Sequence, residues 1–377
     1  MYSVEKTRGQ NPIKQFDFTL FVLVLILSAV GMLVLSSATM TMPSGSRLMM
    51  TQSVGLGLGI ILSVFICSID YKDFKSFGFI LYLGSIVLLV LVLFVGTGDK
   101  QNGARSWFNL GVFRFQPSEL AKISFIIIAS VFFERIQENK KWQDIVKLIV
   151  YFMIPAGLIL AENDFGTTMV VVFAFCVMAF VSGLSYKYFI YGLGASLLSI
   201  PLMWRFFLKP YQKDRIMVFL NPDLDHSTKG YQVFQAKTAI STGQLFGKGL
   251  FSGPQTQNGL LPVKESDFIY AVIGEELGLI GTLAIVLLIV IILLRCIHIA
   301  KNSRDSYGTF LVIGISSVLA FHFIENIGMC IGLMPVTGIP LPFVSSGGSS
   351  MLTNFIGIGI ILSVSMRRKK VIFNSSQ

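Results

Sequence analysis

The stretch VKESDFIYAVIGEELGLIG, residues 263–281, sets Asp267 at the head of a long apolar run and sinks Glu275 and Glu276 into it. Carboxylates in such a place either serve a site or satisfy hydrogen bonds inside the protein. On a helix, Glu275 and Glu276 fall about 12 to 14 Å deeper than Asp267 and Glu276 points away from it, so they form no catalytic pair. Gly274 and Gly278 fall within about 20° of Asp267 on the same wheel, which leaves a groove under the carboxylate where another chain, helical or lipid, could approach. Two readings stay open for Asp267: a helix cap, or an acid standing above a slot. For Glu275 and Glu276 the expectation is an internal structural hydrogen bond.

A second cluster lies in GARSWFNLGVFRFQPSELAKI, where Pro117 opens a helix and Glu119 and Lys122, three residues apart, share one face. A lysine that far into an apolar run needs a partner or a watery cavity, so the couple is either a plain ion pair or part of a site. Arg105 and Trp107 just before it read as interface anchors. Other signals fail on spacing. GQLFGKG around Lys248 has too few residues between its first glycines and no Ser or Thr after the lysine, which excludes a P-loop. DLDHSTKG from Asp223 lacks the glycine and closing glutamate of an EF-hand, leaving a weaker divalent-cation site at Asp223 or Asp225 open. His226, His298 and His322 do not pair, and Cys67, Cys176, Cys296 and Cys330 show no paired spacing, so neither a transition metal, haem, zinc nor a disulfide is expected.

The scaffold that must position these residues is a membrane one. Of 377 residues, 53% are hydrophobic and only 13% charged, far from a soluble domain. Ten apolar runs begin near Phe18, Val54, Phe77, Leu120, Val146, Thr168, Tyr188, Asp267, Thr309 and Met351, the eighth continuing past Leu294. Each is long enough to cross a bilayer, and lipid leaves the backbone only the helix. The expectation is an all-α integral membrane protein, a single polytopic domain over residues 1–377 with ten transmembrane helices. Lys and Arg gather at both ends and in alternate connections, placing the N- and C-termini in the cytoplasm. The first run lacks a small-residue cleavage site and reads as a retained helix.

One outer connection is too long to be passive. Residues 209–266, between the seventh and eighth spans, form a large extracellular loop carrying Arg215, Lys229, Lys237, Lys248 and Lys264. Within it GYQVFQAKTAIST has the length and mixed polarity of a short amphipathic helix lying at the interface. Function is expected on that outer face.

Taken together, ESDFIYAVIGEELGLIG, GARSWFNLG, FQPSELAK, ENDFGTT, DRIMVFLNPDLDHSTKGYQ and GMCIGLMPVTGIPLPFVSSGGSSML resemble the SEDS proteins, the shape, elongation, division and sporulation family. The likeness covers nearly the whole chain, and VTGIPLPF with the short N-terminus is more similar to the RodA elongation branch than to the FtsW division branch. The resemblance implies a peptidoglycan glycosyltransferase that polymerises lipid II on the outer face of the bacterial cytoplasmic membrane. It implies a class B penicillin-binding protein as crosslinking partner, with other elongation-complex membrane proteins and no nucleic acid. The family's essential acid corresponds to Asp267, read here as a general base for the acceptor sugar hydroxyl. Its substrate-binding Arg and Trp correspond to Arg105 and Trp107, its Glu and Lys to Glu119 and Lys122, and its loop arginine to Arg215. Lys248 joins Arg105, Lys122 and Arg215 as a cation for the departing pyrophosphate. No metal site or cofactor is required, and help from Mg²⁺ or Mn²⁺ stays open. Val263, Ser346, Ser241 and Gln244 depart from the family pattern without touching Asp267. The alternatives are an FtsW-like division or sporulation polymerase of the same family, a lipid II flippase, and a scaffold. The flippase would be expected to show inverted repeats with paired broken helices.

Overall fold

The computed structural model describes residues 15–98, 105–109, 111, 114–202, 204–205, 210–220 and 229–368. Asp223, Asp225 and His226 lie outside them. In chain order the helices are α1 (Phe18–Thr39), α2 (Gly45–Ser68), α3 (Tyr71–Val95), α4 (Pro117–Asn139), α5 (Trp142–Ala161), α6 (Phe165–Val181) and α7 (Tyr186–Leu202). Then come α8 (Pro210–Leu220), α9 (Lys229–Gly243), α10 (Pro254–Gln257), α11 (Ile269–Lys301), α12 (Ser306–Cys330) and α13 (Gly348–Met366). The expected all-α fold needs one amendment. Two-residue strands, β1 (Phe108–Asn109) and β2 (Arg114–Phe115), pair antiparallel just ahead of α4.

Seven of the described helices, α1, α2, α3, α5, α11, α12 and α13, are long and apolar enough to cross a membrane. Helices α4, α6 and α7 occupy the other three expected positions. Of these, α6 and α7 have 17 residues each, and α4 carries Glu119, Lys122, Glu134, Arg135 and Glu138. Several helices start upstream of their apolar runs because polar side chains open them. Asp70 caps α3 by accepting from the Lys72 amide at 3.0 Å, and Asp164 caps α6 through the Thr167 amide at 2.9 Å. Asp17 caps α1 through the Leu20 amide and also pairs with Arg295 at 2.9 Å, which ties α1 to the far end of α11.

Burial separates a centre from a rim. The most apolar windows of α12 and α13 are 72% buried, against 22% for α5 and 28% for α2, α3 and α11. Helices α12 and α13 therefore face protein, as does α4, most of whose residues are buried, while α2, α3, α5 and α11 turn much of their surface to lipid. Helix α12 packs on α4, α6, α11 and α13, and α13 lies along α2.

The long α11 is not one helix. Gly278 has φ 68° and ψ −165°, which breaks it in two after about two turns. The hydrogen bonds lost at the break are remade by residues 244–249. Lys248 and Gly249 donate their amides to the carbonyls of Glu275 and Glu276 at 2.9 and 3.0 Å. The amides of Leu279 and Ile280 donate to the carbonyls of Gln244 and Leu245 at 2.8 and 3.2 Å. Non-helical backbone at such a depth requires this repair. The approach is possible only with glycine: a Cβ on Gly243 would stand 1.9 Å from the Gly274 carbonyl oxygen, and one on Gly278 2.3 Å from the Gly247 nitrogen. The groove expected along Gly274 and Gly278 is thus filled by the chain's own α9 and the loop after it, not by lipid. Likewise GYQVFQAKTAIST does form a helix, α9, but it turns fully buried Ala236 and Ala239 inward and packs on α11.

Candidate active site

Asp267 stands just outside α11. The N-cap position is Phe268 and no side chain caps this helix end, so Asp267 does not fill the cap position. It is half-buried; its Oδ1 accepts from Ser266 Oγ at 2.9 Å. Its Oδ2 faces the backbone of Gly338, where an added Cβ would lie 3.4 Å away. The segment between α12 and α13 is therefore one wall of the site.

That wall is clamped by one face of α12. Thr337 donates its hydroxyl to Glu325 Oε1 at 2.8 Å. Asn326 Nδ2 donates both to the Ile339 carbonyl at 2.8 Å and to the Asp267 carbonyl at 2.9 Å. His322 Nδ1 lies 3.3 Å from the Pro340 carbonyl. From the other side Arg215 of α8 donates to the Thr337 carbonyl at 3.2 Å. Further along, Ser345 Oγ donates to the Ser266 carbonyl at 2.6 Å, and Gln52 of α2 brackets the turn through the Ser345 carbonyl and the Gly347 amide at 2.9 and 3.0 Å. The segment that faces Asp267 is thus fixed by hydrogen bonds from several helices.

Glu119 and Lys122 form an ion pair of 2.8 Å with side chains only 4% and 2% exposed. Lys122 Nζ also lies 2.9 Å from His322 Nε2. An ammonium paired with a carboxylate has only hydrogens to offer, so Nε2 must accept. That places the ring proton on Nδ1, which donates to the Pro340 carbonyl. The buried pair is therefore joined, through His322, to the wall that faces Asp267.

The remaining predicted residues lie on other elements. Arg105 is exposed and donates to the Phe94 carbonyl at 3.3 Å, closing the C-terminal end of α3. Trp107 is half-buried and pairs through its backbone with Thr97. The hairpin that follows reaches α6 and α13: Gln116 donates its side chain to Asp164 at 3.0 Å and its amide to Ser349 Oγ at 3.3 Å. Lys248 has an exposed side chain, and its backbone sits at Glu275, about 12 Å along α11 from Asp267.

Glu275 and Glu276 have structural partners. Glu275 accepts the amides of Gln255 and Thr256 at 2.6 and 2.9 Å and the Thr256 hydroxyl at 2.6 Å, which anchors α10. Glu276 accepts from Ser37 Oγ at 2.5 Å and from Gln257 Nε2 at 3.2 Å. Lys264 is buried beside them, bonded to the Thr256 carbonyl and to Thr41 Oγ1. Burial pulls its ammonium below the usual lysine range, opposed by Glu265, Glu276 and Glu275. Glu162, between α5 and α6, is 1% exposed and neither carboxylate oxygen has a hydrogen-bond partner. Burial first, and then Asp164, push its pKa up to about 8, while Ser106 Oγ bonds the Glu162 backbone carbonyl. Among the described residues no three His, Cys, Asp or Glu side chains come together as a metal site.

Sequence reasoning missed His322, Glu325 and Asn326 as site-forming. The signal was present as FHFIEN, where polar residues at i, i+3 and i+4 share one face of an otherwise apolar helix.

Comparison with known proteins agrees with this architecture. A family model described as cell cycle protein, covering FtsW, RodA and SpoVE, matches residues 17–370. The peptidoglycan glycosyltransferase MrdB of Escherichia coli K12 is 34% identical over 349 residues, 92% of this chain and 93% of the relative. The stage V sporulation protein E of Bacillus subtilis is 35% identical over 356 residues, 93% of this chain and 96% of its own. Among solved structures, the rod shape determining protein RodA of Thermus thermophilus matches with a TM-score of 0.70 and 28% identity, covering 94% of this chain and 98% of that one. A chain from a structure on the coordination of polymerization and crosslinking by a peptidoglycan synthase complex matches with a TM-score of 0.79 and 32% identity, covering 93% and 97%.

Proposed function

Since the chain belongs to the FtsW, RodA and SpoVE family of cell cycle proteins, we propose that Asp267 is the general base with which it polymerises lipid II on the outer face of the cytoplasmic membrane. The chain is a peptidoglycan glycosyltransferase and a multi-pass membrane protein of RodA-like kind. The observation that carries the assignment of Asp267 is its half-buried carboxylate outside the helix cap, aimed at a wall that Asn326, Glu325, His322 and Arg215 hold in place.

In this reading the acceptor GlcNAc hydroxyl gives its proton to Asp267 as its oxygen attacks C1 of the lipid-linked MurNAc. The C1–O bond to phosphate breaks, its electron pair leaves with undecaprenyl pyrophosphate, and C1 inverts as a single displacement demands. A carboxylate is a weak base in water, so the partial burial of Asp267 and a tightly held hydroxyl are what make it effective. Arg215, held by the Thr337 carbonyl beside the Asp267 wall, meets the pyrophosphate. Arg105 and Trp107 contact the sugar and phosphate from the hairpin, and Lys248 is a cation further along α11. Glu119 and Lys122 shape the site from beneath through His322. No step needs a cofactor; a divalent cation at the pyrophosphate is compatible with the same scheme. The body is one polytopic domain of ten spans, α1 to α7 and α11 to α13, with both termini cytoplasmic and residues 209–266 outside. Its partner is a class B penicillin-binding transpeptidase within a larger set of elongation proteins, a reading supported by the similar chain from a peptidoglycan synthase complex that coordinates polymerization and crosslinking.

The test is polymerisation of purified lipid II by the full chain with its transpeptidase. Asp267→Asn keeps size and hydrogen bonding but cannot take a proton, so the rate should fall about 10² to 10⁴-fold with lipid II binding little changed. Glycan synthesis by Asp267→Asn at more than about a tenth of the wild-type rate would remove the base assignment. A wild-type protein that translocates lipid II but makes no strands would instead support the flippase.

A further inference from the structure

One recess on the outer side is built for more than packing. It is shallow and lies between α8, α9 and the start of the α12–α13 connection. Its walls are Val218, Phe219, Val233, Met334, Pro335 and Val336, and two cations, Arg215 and Lys237, open into it with no carboxylate among the lining residues. Arg215 is half-buried and Lys237 is exposed at its rim. Arg215 is aimed by its bond to the Thr337 carbonyl at 3.2 Å. Lys237 lies across Gly332, where an added Cβ would stand 2.2 Å from its Cε and 2.3 Å from its Nζ. Gly332 has φ +75°, which favours glycine, and the lysine end rests against its bare Cα.

Two positive charges over an apolar wall suit a doubly charged anion joined to a hydrocarbon. Thr337 immediately precedes Gly338, whose backbone faces the Asp267 carboxylate. The recess is therefore next to the reacting centre on the side of Arg215.

We propose that Arg215 and Lys237 together form the subsite that holds an isoprenyl diphosphate, the leaving end of the lipid-linked donor. Lys237 is the new element. It faces the diphosphate across from the guanidinium, so that negative charge growing on the bridging oxygen as the C1–O bond breaks is met by two cations and not one. The apolar wall takes the first isoprene units. The assignment rests on the polymerase reading above for the identity of the donor, but the recess itself is a property of the chain.

Farnesyl diphosphate serves as the probe, with the full-length protein in nanodiscs. Wild type should bind it, and farnesol far more weakly. Lys237→Met should weaken binding about tenfold or more, Lys237→Arg should restore most of it, and Lys213→Met, which removes a charge on α8 that packs over the Trp204 ring, should leave it unchanged. In lipid II polymerisation Lys237→Met should lower turnover by a similar factor. Unaltered diphosphate binding in Lys237→Met, or farnesol bound as tightly as its diphosphate, would overturn the subsite. If wild type polymerises lipid II while Lys237→Met matches it in both assays, the subsite falls and the polymerase stands. If binding depends on Lys237 but no strands are made, the polymerase reading falls and the subsite stands.

Discussion

A histidine whose two ring nitrogens are both engaged inside a protein has one tautomer available and no spare proton to trade. His322 is in that position between Lys122 and the Pro340 carbonyl, which makes it a positioning residue for Asp267 and not a second base. His322→Leu should lower kcat about tenfold or more with the KM for lipid II nearly unchanged, because the wall of the site loosens while the substrate cations remain. His322→Gln, which offers an acceptor and a donor, should recover part of that loss. Combined with Lys122→Met the effects should be far from additive, since both remove one chain of contacts; additive losses would separate the two residues. Glu162 makes a different residue-scale claim. Burial, and then Asp164, push its carboxyl from an ordinary 4.5 up to about 8 in the folded protein. The neutral form is thus favoured by folding: the contribution to stability is full below about pH 4.5 and is lost as pH rises through about 8. Melting temperature measured from pH 5 to 9 should decline more steeply in wild type than in Glu162→Gln, and parallel curves would refute the shift.

At the scale of elements, what could be read from the sequence depended on whether a pattern was local. Helix positions followed apolar length, and polar first turns such as YKDFKS only moved α3 upstream. Asp267 was visible as an acid at the head of an apolar run. The break in α11 was not, because glycines are common in membrane helices and only the arrival of residues 244–249 makes this one a hinge. Nor was the fate of the Gly274 face visible: a wheel shows that a groove exists and says nothing of what fills it. His322 passed as an isolated histidine because its partners come from α4 and from a connection eighteen residues later. Glu275 and Glu276 were legible in kind, as structural acceptors, while their partners on α10 and α1 were not. Glu275→Gln should accordingly cost about 1 to 3 kcal/mol of stability by weakening the bonds to Gln255 and Thr256, with turnover per folded molecule retained. A thermal melt and a lipid II assay on the same sample decide it, and lost turnover at unchanged stability would move Glu275 into the chemistry.

The whole molecule makes one claim on which the chemistry depends, the side of the membrane that Asp267 faces. A cysteine at Ser252, an exposed position after α9, should react with an impermeant thiol reagent in intact cells, and one at Lys140, between α4 and α5, should not. The reverse pattern would remove the outer-face mechanism. The mended α11 also bears on how such a protein is made. As the chain enters the bilayer, the carbonyls of Glu275 and Glu276 and the amides of Leu279 and Ile280 arrive without helical partners, and lipid supplies none. The segment that satisfies them has already been translated and must fold back. Until residues 244–249 dock, the newborn protein exposes broken backbone that membrane proteases and chaperones can recognise. Lesions in residues 244–249 should then show first as low abundance in the cell, well before any fault in catalysis is seen.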